Sequence, residues 1–341
     1  MRSPRFLVAV AGLMLAATFD PAQAQQAPAL IYEKDIEGPA PIPPSEQGLQ
    51  TIVAAPWFKV SDEGLQLEGP AFDRDGNLLF VEVFGGRVFR LSEDKRLTTV
   101  VEENGLGSAG LALHKDGRIF VAGLGNFEDT GSVVAFAPDG SGMETIVPPE
   151  AGYLADDLVF DENGGFYFTD FKGTSTNPTG GVYYVSPDFK EITPILENLS
   201  VANGIGLSPD GKTLWVTEFS KGLLHRVDLA GPTTIAHFGT SVPYRFTGPA
   251  PDSLRADADG NVYVAMYGQG RVLVFNRNGM PIGQILLPGR DDGHNLRSTS
   301  LAIKPGTRDL FILTNDWDGG EGSTIFHAQA FAEASNLYSH Q

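Results

Sequence analysis

The sequence predicts an all-β fold, a six-bladed β-propeller with four-stranded blades, and three observations support this prediction. First, a turn signal that ends in glycine recurs six times in the 341 residues, at positions 76, 117, 164, 211, 260 and 306, so that successive glycines are 41, 47, 47, 49 and 46 residues apart. Second, apolar segments flank each turn, as in a β-hairpin. Third, no long segment has the 3.6-residue apolar period of a helix. Units of roughly 45 residues with about four strands each are typical of propeller blades.

Each turn separates the first and second strands of a predicted blade. The second strands are predicted at Leu78–Val81, Arg118–Val121, Phe166–Thr169, Thr213–Val216, Asn261–Val264 and Asp309–Ile312. A third strand follows in most units, for example at Arg87–Leu91 and Arg271–Phe275. Fourth strands are predicted at Leu97–Val101 and Ile282–Leu287.

The repeats form one predicted domain, residues 48–341, and this ring must be closed by strand pairing. The chain contains no cysteine, and an open sixth blade would leave a free sheet edge. After the third strand of the sixth unit, Thr324–Ala328, the sequence offers only weak strand material. We predict that Leu49–Ala54 completes the sixth blade, preceded by an extended leader at residues 25–47 that is rich in Pro, Ala and Gln.

The first 24 residues have the pattern of a secretory signal peptide. Arg2 and Arg5 precede an apolar run from Phe6 to Phe19, and Ala22-Gln23-Ala24 is a small-x-small cleavage site. The run is shorter than the roughly 20 residues that a membrane-spanning helix needs. We therefore expect cleavage near Ala24, a periplasmic or secreted location and no membrane span.

The composition excludes several classes of function. With 24 Lys+Arg against 42 Asp+Glu the formal net charge is −18, which argues against nucleic acid as a partner, because phosphate binding needs clustered basic residues. Without cysteine there is no thiolate nucleophile, thiolate-held zinc or iron–sulfur cluster. The sequence also lacks a Gly-x-Ser-x-Gly elbow.

One equivalent place in the repeats is occupied mostly by side chains that carry oxygen. The residues eight positions before the turn glycines are Glu68, Ala109, Asp156, Asn203, Asp252 and Ser298. This position opens the first strand, which lies nearest the central channel of a propeller, so the six residues are expected to converge on one axis.

Three carboxylates brought together repel one another unless a cation compensates them. Carboxylate and amide oxygens without His or Cys suit Ca²⁺, with Mg²⁺, Mn²⁺ or Zn²⁺ as substitutes. The second interpretation is that these are polar residues at strand starts, satisfied by the neighbouring backbone.

Several segments of the sequence match motifs of one known family: Gly64–Gly69, Asp156–Asp157, Gly165–Phe171, Gly180–Asp188, Val201–Gly204, Pro251–Ser253 and Asn261–Phe275. They resemble the gluconolactonase / senescence-marker-type family of calcium-dependent lactonases, and the resemblance extends from about Gln50 to beyond Gly322. It implies a six-bladed propeller with a catalytic divalent metal in the central channel.

The resemblance also implies roles for particular residues. The implied metal ligands are Glu68, Asp156, Asn203 and Asp252, with Ser253 beside them. Asp252 would also be the general acid/base. A second, structural calcium is implied on blade two and the loop after it, where the matching residues are Asp129, Gly131, Glu150 and Tyr153.

The predicted function is ring-opening hydrolysis of a small lactone or ester substrate. Asp157, next to a ligand, is interpreted either as a catalytic residue that orients water or substrate or as a residue that helps to start a strand. Two alternatives stay open at this point. One is a non-catalytic binding propeller with a structural channel metal, and the other is an arylesterase or phosphotriesterase that uses the same site.

Overall fold

The computed structural model describes Leu30 and residues 36–341. The predicted signal peptide and the first part of the predicted leader lie outside the described residues, apart from Leu30. Within the described part, 25 strands form six sheets, which are the blades of a six-bladed β-propeller. No helix of this part is long and apolar enough to cross a membrane.

The first three blades follow one another along the chain as antiparallel meanders. Blade one contains β3 (Leu67–Phe72), β4 (Leu78–Glu82), β5 (Val88–Leu91) and β6 (Leu97–Val101). Blade two contains β7 (Ser108–Leu113), β8 (Ile119–Gly123), β9 (Ser132–Phe136) and β10 (Glu144–Val147). Blade three contains β11 (Ala155–Phe160), β12 (Phe166–Asp170), β13 (Gly180–Val185) and β14 (Ile192–Leu199).

The other three blades repeat this order, with additions from the N-terminal part. Blade four contains β15 (Ala202–Leu207), β16 (Thr213–Glu218), β17 (Leu223–Gly231) and β18 (Thr234–Arg245). Blade five contains β19 (Pro251–Ala256), β20 (Val262–Met266), β21 (Arg271–Phe275), β22 (Pro281–Leu286) and, at its edge, β1 (Gln50–Val53). Blade six contains β23 (Arg297–Ile303), β24 (Asp309–Asp316), β25 (Gly322–Gln329) and β2 (Ala55–Ser61).

An N-terminal strand closes the ring, as predicted, but the segment predicted for this role is wrong. Leu49–Ala54 does not join blade six; its central residues form β1, which pairs in parallel with β22 of blade five. The next strand, β2, pairs antiparallel with β25 and completes blade six. Both segments have strand composition, and local sequence does not specify which sheet edge each one meets. The chain therefore crosses from blade five to blade six before entering blade one.

The segment before β1 is fixed to blade five by a buried ion pair. The Glu46 carboxylate lies 2.5 Å from the Arg271 guanidinium, and both side chains are 1% exposed. The Tyr244 hydroxyl donates a second bond to Glu46, and the Arg290 guanidinium donates to the carbonyl of Ala40. The end of the predicted leader thus packs against the propeller through polar contacts with distant residues.

The apolar core lies between blades, not at one centre. Six of its buried clusters each join residues of two adjacent blades. The first strands also contact one another around a closed cycle, from β3 through β7, β11, β15 and β19 to β23 and back to β3. These strands therefore line the central channel, which is the arrangement that brings equivalent residues of the six repeats together.

Candidate functional site

The structure places the six register-matched residues at one level of the channel. Each is the second residue of the first strand of its blade: Glu68, Ala109, Asp156, Asn203, Asp252 and Ser298. Their exposed fractions are between 0% and 7%. We call this set the channel ring. The convergence expected from the repeat spacing is therefore found, while metal binding by the ring stays a prediction.

Close approach of the first strands draws the ring together. A Cβ atom at Gly110 would lie 2.3 Å from the carbonyl oxygen of Asp156, and one at Gly204 would lie 2.6 Å from that of Asp252. Both glycines follow a ring residue directly, so a side chain there would push neighbouring blades apart.

Burial and the charges of neighbouring carboxylates raise the pKa values of all three ring carboxyl groups. Burial is the largest cause for each of them. The charges of Asp252 and Asp156 raise the pKa of Glu68 further, and the charge of Asp252 does the same for Asp156. The charge of Asp157 acts in the same direction on all three. The ring is thus a buried site with an excess of negative charge, which a cation would relieve.

The polar atoms of the ring fit a cation. The Oδ1 atom of Asn203 is buried and receives no hydrogen bond in the described structure, and the Asn203 amide beside the Asp252 carboxyl group lowers the pKa of that group. An unpartnered buried oxygen beside three carboxylates is the donor set that a hard divalent cation prefers. Ser253 is also buried and its backbone N–H lowers the pKa of Asp252.

Ser298 illustrates the alternative interpretation of strand-start polar residues. Its hydroxyl lies 3.0 Å from the carbonyl oxygens of both Met266 and Arg271. The neighbouring backbone therefore satisfies this ring position, in contrast to Asn203.

Two threonine hydroxyls fix three ring positions relative to one another. The Thr169 hydroxyl accepts the N–H of Asp157 and donates to the carbonyl of Asn203 in the next blade, at 3.0 and 2.5 Å. The Thr217 hydroxyl accepts the N–H of Gly204 and donates to the carbonyl of Asp252, both at 2.7 Å. Each hydroxyl thus joins two adjacent blades at the level of the ring.

Asp157 lies next to the ring but its carboxylate is paired with Arg255. Asp157 Oδ2 is 2.7 Å from Arg255 Nη1, and Oδ1 is 3.3 Å from Nη2. The N–H groups of Leu158 and Ile205 donate to the same carboxylate. Because its oxygens are already engaged, this geometry favours a positioning role over direct contact with substrate.

In blade two the residue at the ring position is apolar. Ala109, the ring residue without oxygen, packs with Leu124 and Leu154, and Phe171 covers this group. One side of the channel mouth next to the carboxylates is therefore hydrophobic.

The residues of the implied second metal site are only partly brought together. Gly131 packs against the backbone of Tyr153, since a Cβ atom at Gly131 would lie 2.4 Å from the carbonyl oxygen of Tyr153. Asp129 instead receives a hydrogen bond from the Asn126 amide, and Glu150 lies on an exposed 3-10 turn, Pro149–Ala151. A second metal there stays a prediction.

A different group with metal-ligand chemistry lies in blade six, and sequence reasoning did not find it. His294, Asp316 and Glu321 have ligand atoms within 4.8 Å of one another. Asp316 also accepts the backbone N–H of Asn295 at 2.9 Å. It ends the second strand of its blade, and Glu218 ends the second strand of blade four, where it accepts the N–H of Ser200. Asp316 therefore has a structural role that recurs in another blade.

Sequence reasoning also missed Thr169, Thr217 and Arg255. The two threonines share a weak signal, because each precedes the acidic residue that ends a second strand. Arg255 has no comparable signal, since its partner Asp157 is in another blade.

The chain belongs to the SMP-30/gluconolactonase/LRE-like family, whose model matches residues 67–315. The resemblance found in the sequence is confirmed. The chain is 54% identical to lactonase drp35 of Staphylococcus saprophyticus, over 91% of this chain and 97% of that protein. It is 50% identical to lactonase drp35 of Staphylococcus aureus strain USA300, over 93% and 99% of the two chains.

Two solved structures share the fold at low sequence identity. One is a calcium-binding protein, regucalcin, from Agrobacterium tumefaciens, with a TM-score of 0.70 and 19% identity over 85% of this chain and 99% of that one. The other is a gluconolactonase from Xanthomonas campestris, with a TM-score of 0.64 and 19% identity over 79% and 89% of the two chains.

Proposed function

We propose that this protein is a lactonase that opens lactone rings with the help of a divalent cation held by the channel ring. The proposed cation is Ca²⁺. The observation that carries this proposal is the ring itself, in which three buried carboxylates and an unpartnered amide oxygen occupy one register position. Relatives that are 50% and 54% identical and are named lactonase support the reaction class. The residues that would hold the cation are Glu68, Asp156, Asn203 and Asp252, with Ser253 beside them.

In this proposal four of the ring residues take part in the chemistry. A bound divalent cation polarises a carbonyl oxygen and promotes the ionisation of water. Asp252 takes a proton from the attacking water as that water adds to the acyl carbon, and returns it to the ring oxygen when the acyl C–O bond breaks, so that a hydroxy acid is formed. Glu68 and Asp156 would hold the cation with negatively charged oxygens. Asn203 would contribute a neutral oxygen and so limit the total negative charge around the cation.

Asp157 supports this chemistry from the next position of the strand. Its ion pair with Arg255 and its bond from the N–H of Ile205 hold blades three, four and five together below the ring. We therefore assign Asp157 to the positioning of Asp156, with which it shares a peptide bond, and not to proton transfer.

The proposal is tested by lactone hydrolysis with and without Ca²⁺. The purified protein is treated with chelator and assayed in a pH-stat on γ-butyrolactone, before and after Ca²⁺ is restored. We expect activity to disappear with the chelator and to return with Ca²⁺. Asp252→Asn should lower kcat by at least about 100-fold, the usual range for loss of a general acid/base. Asp210→Asn, in an exposed turn, is the matched control and should keep full activity.

A stability measurement separates this proposal from the binding propeller. Without cation, Asp252→Asn should melt at the same or a higher temperature than the unmodified protein, because one repelling charge is removed. Ca²⁺ should raise the melting temperature of the unmodified protein more than that of the variant. If Ca²⁺ stabilises the protein but no lactone is hydrolysed, the ring is a structural site and the proposed reaction is wrong.

A further inference from the structure

An aromatic residue follows the second strand of every blade, on the side of the propeller where the channel ring lies. We call this set the aromatic collar: Phe84, Phe127, Phe171, Phe219, Tyr267 and Trp317. Four of its members come directly after the last residue of the second strand, Phe84 comes two residues after it and Phe127 four residues after it. The recurrence in all six blades indicates a single structure around the channel mouth.

The collar residues contact one another across blade boundaries. The ring of Phe84 has its centroid 6.0 Å from that of Phe127 and 5.7 Å from that of Trp317. On the other side, the Phe219 centroid is 6.1 Å from Tyr267 and 6.2 Å from Phe171. The six rings therefore form two arcs of three.

A guanidinium group joins the two arcs. Arg297 lies 5.8 Å from the ring centroids of both Tyr267 and Trp317, which is cation–π distance. Arg297 is also ion-paired with Asp318. The collar is thus continuous from Phe171 to Phe127, by way of Arg297.

Strand register places the collar directly above the channel ring. In five of the six blades the residue before the ring residue pairs with the last residue of the second strand; Ala202 pairs with Glu218, and Pro251 pairs with Met266. Phe219 and Tyr267 follow these strand ends. In blade six, Arg297 pairs with Asn315, one residue before the strand ends. Burial raises the pKa of the Tyr267 hydroxyl; the charge of Arg297 lowers it in part, and the charges of Asp252 and Glu68 raise it further. Tyr267 thus lies near enough to the ring for the charges of its carboxylates to act on the hydroxyl.

Part of the collar is exposed to solvent. Phe84, Phe127 and Trp317 are 58%, 44% and 54% exposed, and they form one contiguous apolar patch. Exposed apolar patches of this kind mark surfaces that bind a partner or ligand. Strand register places this patch at the end of the channel where the ring lies, because Leu67, before Glu68, pairs with Glu82, and Arg297, before Ser298, pairs with Asn315. We therefore take the ligand that fits the patch to be the substrate of that ring.

We propose that the aromatic collar binds an apolar, planar substituent of the lactone, so that the preferred substrates are lactones with an aromatic side group. This inference rests on the proposed function. The lactone carbonyl would lie at the ring while its substituent packs against Phe84 and Trp317. A lactone covered with hydroxyl groups fits less well, because the collar offers few hydrogen-bonding partners and hydroxyls left without partners weaken binding.

The test compares two lactones that differ only in the substituent. The ratio of kcat/KM for γ-phenyl-γ-butyrolactone to that for γ-butyrolactone is measured for the unmodified protein, Phe84→Ala and Trp317→Ala. We expect the ratio to fall about 5- to 10-fold in each variant, the loss typical of one aromatic contact. Phe238→Ala is the matched control, because Phe238 is 90% exposed and lies on the outer strand of blade four, and its ratio should not change.

A binding measurement tests the role of the collar independently of lactone hydrolysis. The cyclic ether 2-phenyltetrahydrofuran, which cannot be hydrolysed, is titrated into the protein while tryptophan fluorescence is followed. We expect a saturable change in the unmodified protein and in Asp252→Asn, and none in Trp317→Phe.

The two proposals fail in different ways. If no lactone is hydrolysed but the ether gives the expected fluorescence change, the collar is supported and the lactonase proposal is wrong. If lactones are hydrolysed but the substrate ratio is unchanged in both collar variants, the collar does not select the substituent. A fluorescence change that persists in Trp317→Phe also contradicts the inference.

Discussion

The two ends of the central channel are built from the same six first strands, yet their chemistry is opposite. Near the start of these strands lies the channel ring, with three carboxylates, an amide and a hydroxyl. At their ends the six last residues are all apolar: Phe72, Leu113, Phe160, Leu207, Ala256 and Ile303. These residues line a cavity of about 100 Å³, and the C-terminal residues Leu337, Tyr338 and Ser339 also contribute to its wall.

The difference shows how one repeated strand serves two purposes. At the ring end, buried carboxylates repel one another, and this arrangement is useful only if a cationic ligand compensates their charge. At the apolar end, side chains pack together and stabilise the propeller. Arg255 lies at the boundary, since it lines the apolar cavity and pairs with Asp157 next to the ring. We therefore expect changes at the ring to act mainly on binding and catalysis, and changes at the apolar end to act mainly on stability.

The largest loss of stability is expected at the boundary. Arg255→Met leaves the Asp157 carboxylate buried, 2% exposed, without its counter-charge. The free energy of unfolding should fall by about 3–5 kcal/mol, as for other broken buried ion pairs. Urea unfolding measures this loss. The double variant Asp157→Asn/Arg255→Met should recover a large part of it, and a double variant no more stable than Arg255→Met would contradict this view of the pair.

A somewhat smaller loss is expected at the apolar end. The ring of Tyr338 is 6% exposed, lies 5.6 Å from that of Phe160 and 5.0 Å from that of His114. Tyr338→Ala should lower the free energy of unfolding by about 3 kcal/mol, because it leaves a cavity. Tyr338→Phe keeps the ring and serves as the control. Lactone kcat at a temperature where the variant is folded should be unchanged, and a fall in kcat would show that the two channel ends are coupled.

The smallest loss of stability is expected for Thr217, which supports the ring. Its substitution should also lower turnover. Thr217→Val removes the hydroxyl that joins Gly204 to Asp252 and leaves a buried N–H without an acceptor. The loss should be about 1–2 kcal/mol in unfolding free energy, with a several-fold lower kcat. Thr314→Val, whose hydroxyl bonds within blade six, is the control and should leave kcat unchanged. Equal kcat values for the two variants would mean that Thr217 has no special role.

The sequence was sufficient to predict the blades and the ring, because both depend on local turn chemistry repeated at regular spacing. The second-strand positions and the Leu97–Val101 strand match the structure, and the eight-residue offset located all six ring residues. Pairing between distant segments was not predictable in this way. The strand composition of Leu49–Ala54 says nothing of its parallel partner β22, and the Pro-rich leader gives no sign that Glu46 pairs with Arg271.

The aromatic collar was likewise not predictable from the sequence, because it depends on contacts between side chains of different blades. Aromatic residues after a second strand look like ordinary core residues in the sequence, and only the structure shows Phe84 packed between Phe127 and Trp317 at the mouth of the channel. The Thr169 and Thr217 bridges likewise depend on contacts between blades.

Calorimetric titration of chelator-treated protein with Ca²⁺ tests the central claim, that the channel ring holds the cation, most directly. The unmodified protein, Asp156→Asn and His294→Ala are compared, the last because it disrupts the His294–Asp316–Glu321 group. We expect His294→Ala to bind Ca²⁺ like the unmodified protein and Asp156→Asn to bind at least about tenfold more weakly. If Asp156→Asn binds normally and His294→Ala does not, the cation site is in blade six and the channel ring is not the metal centre.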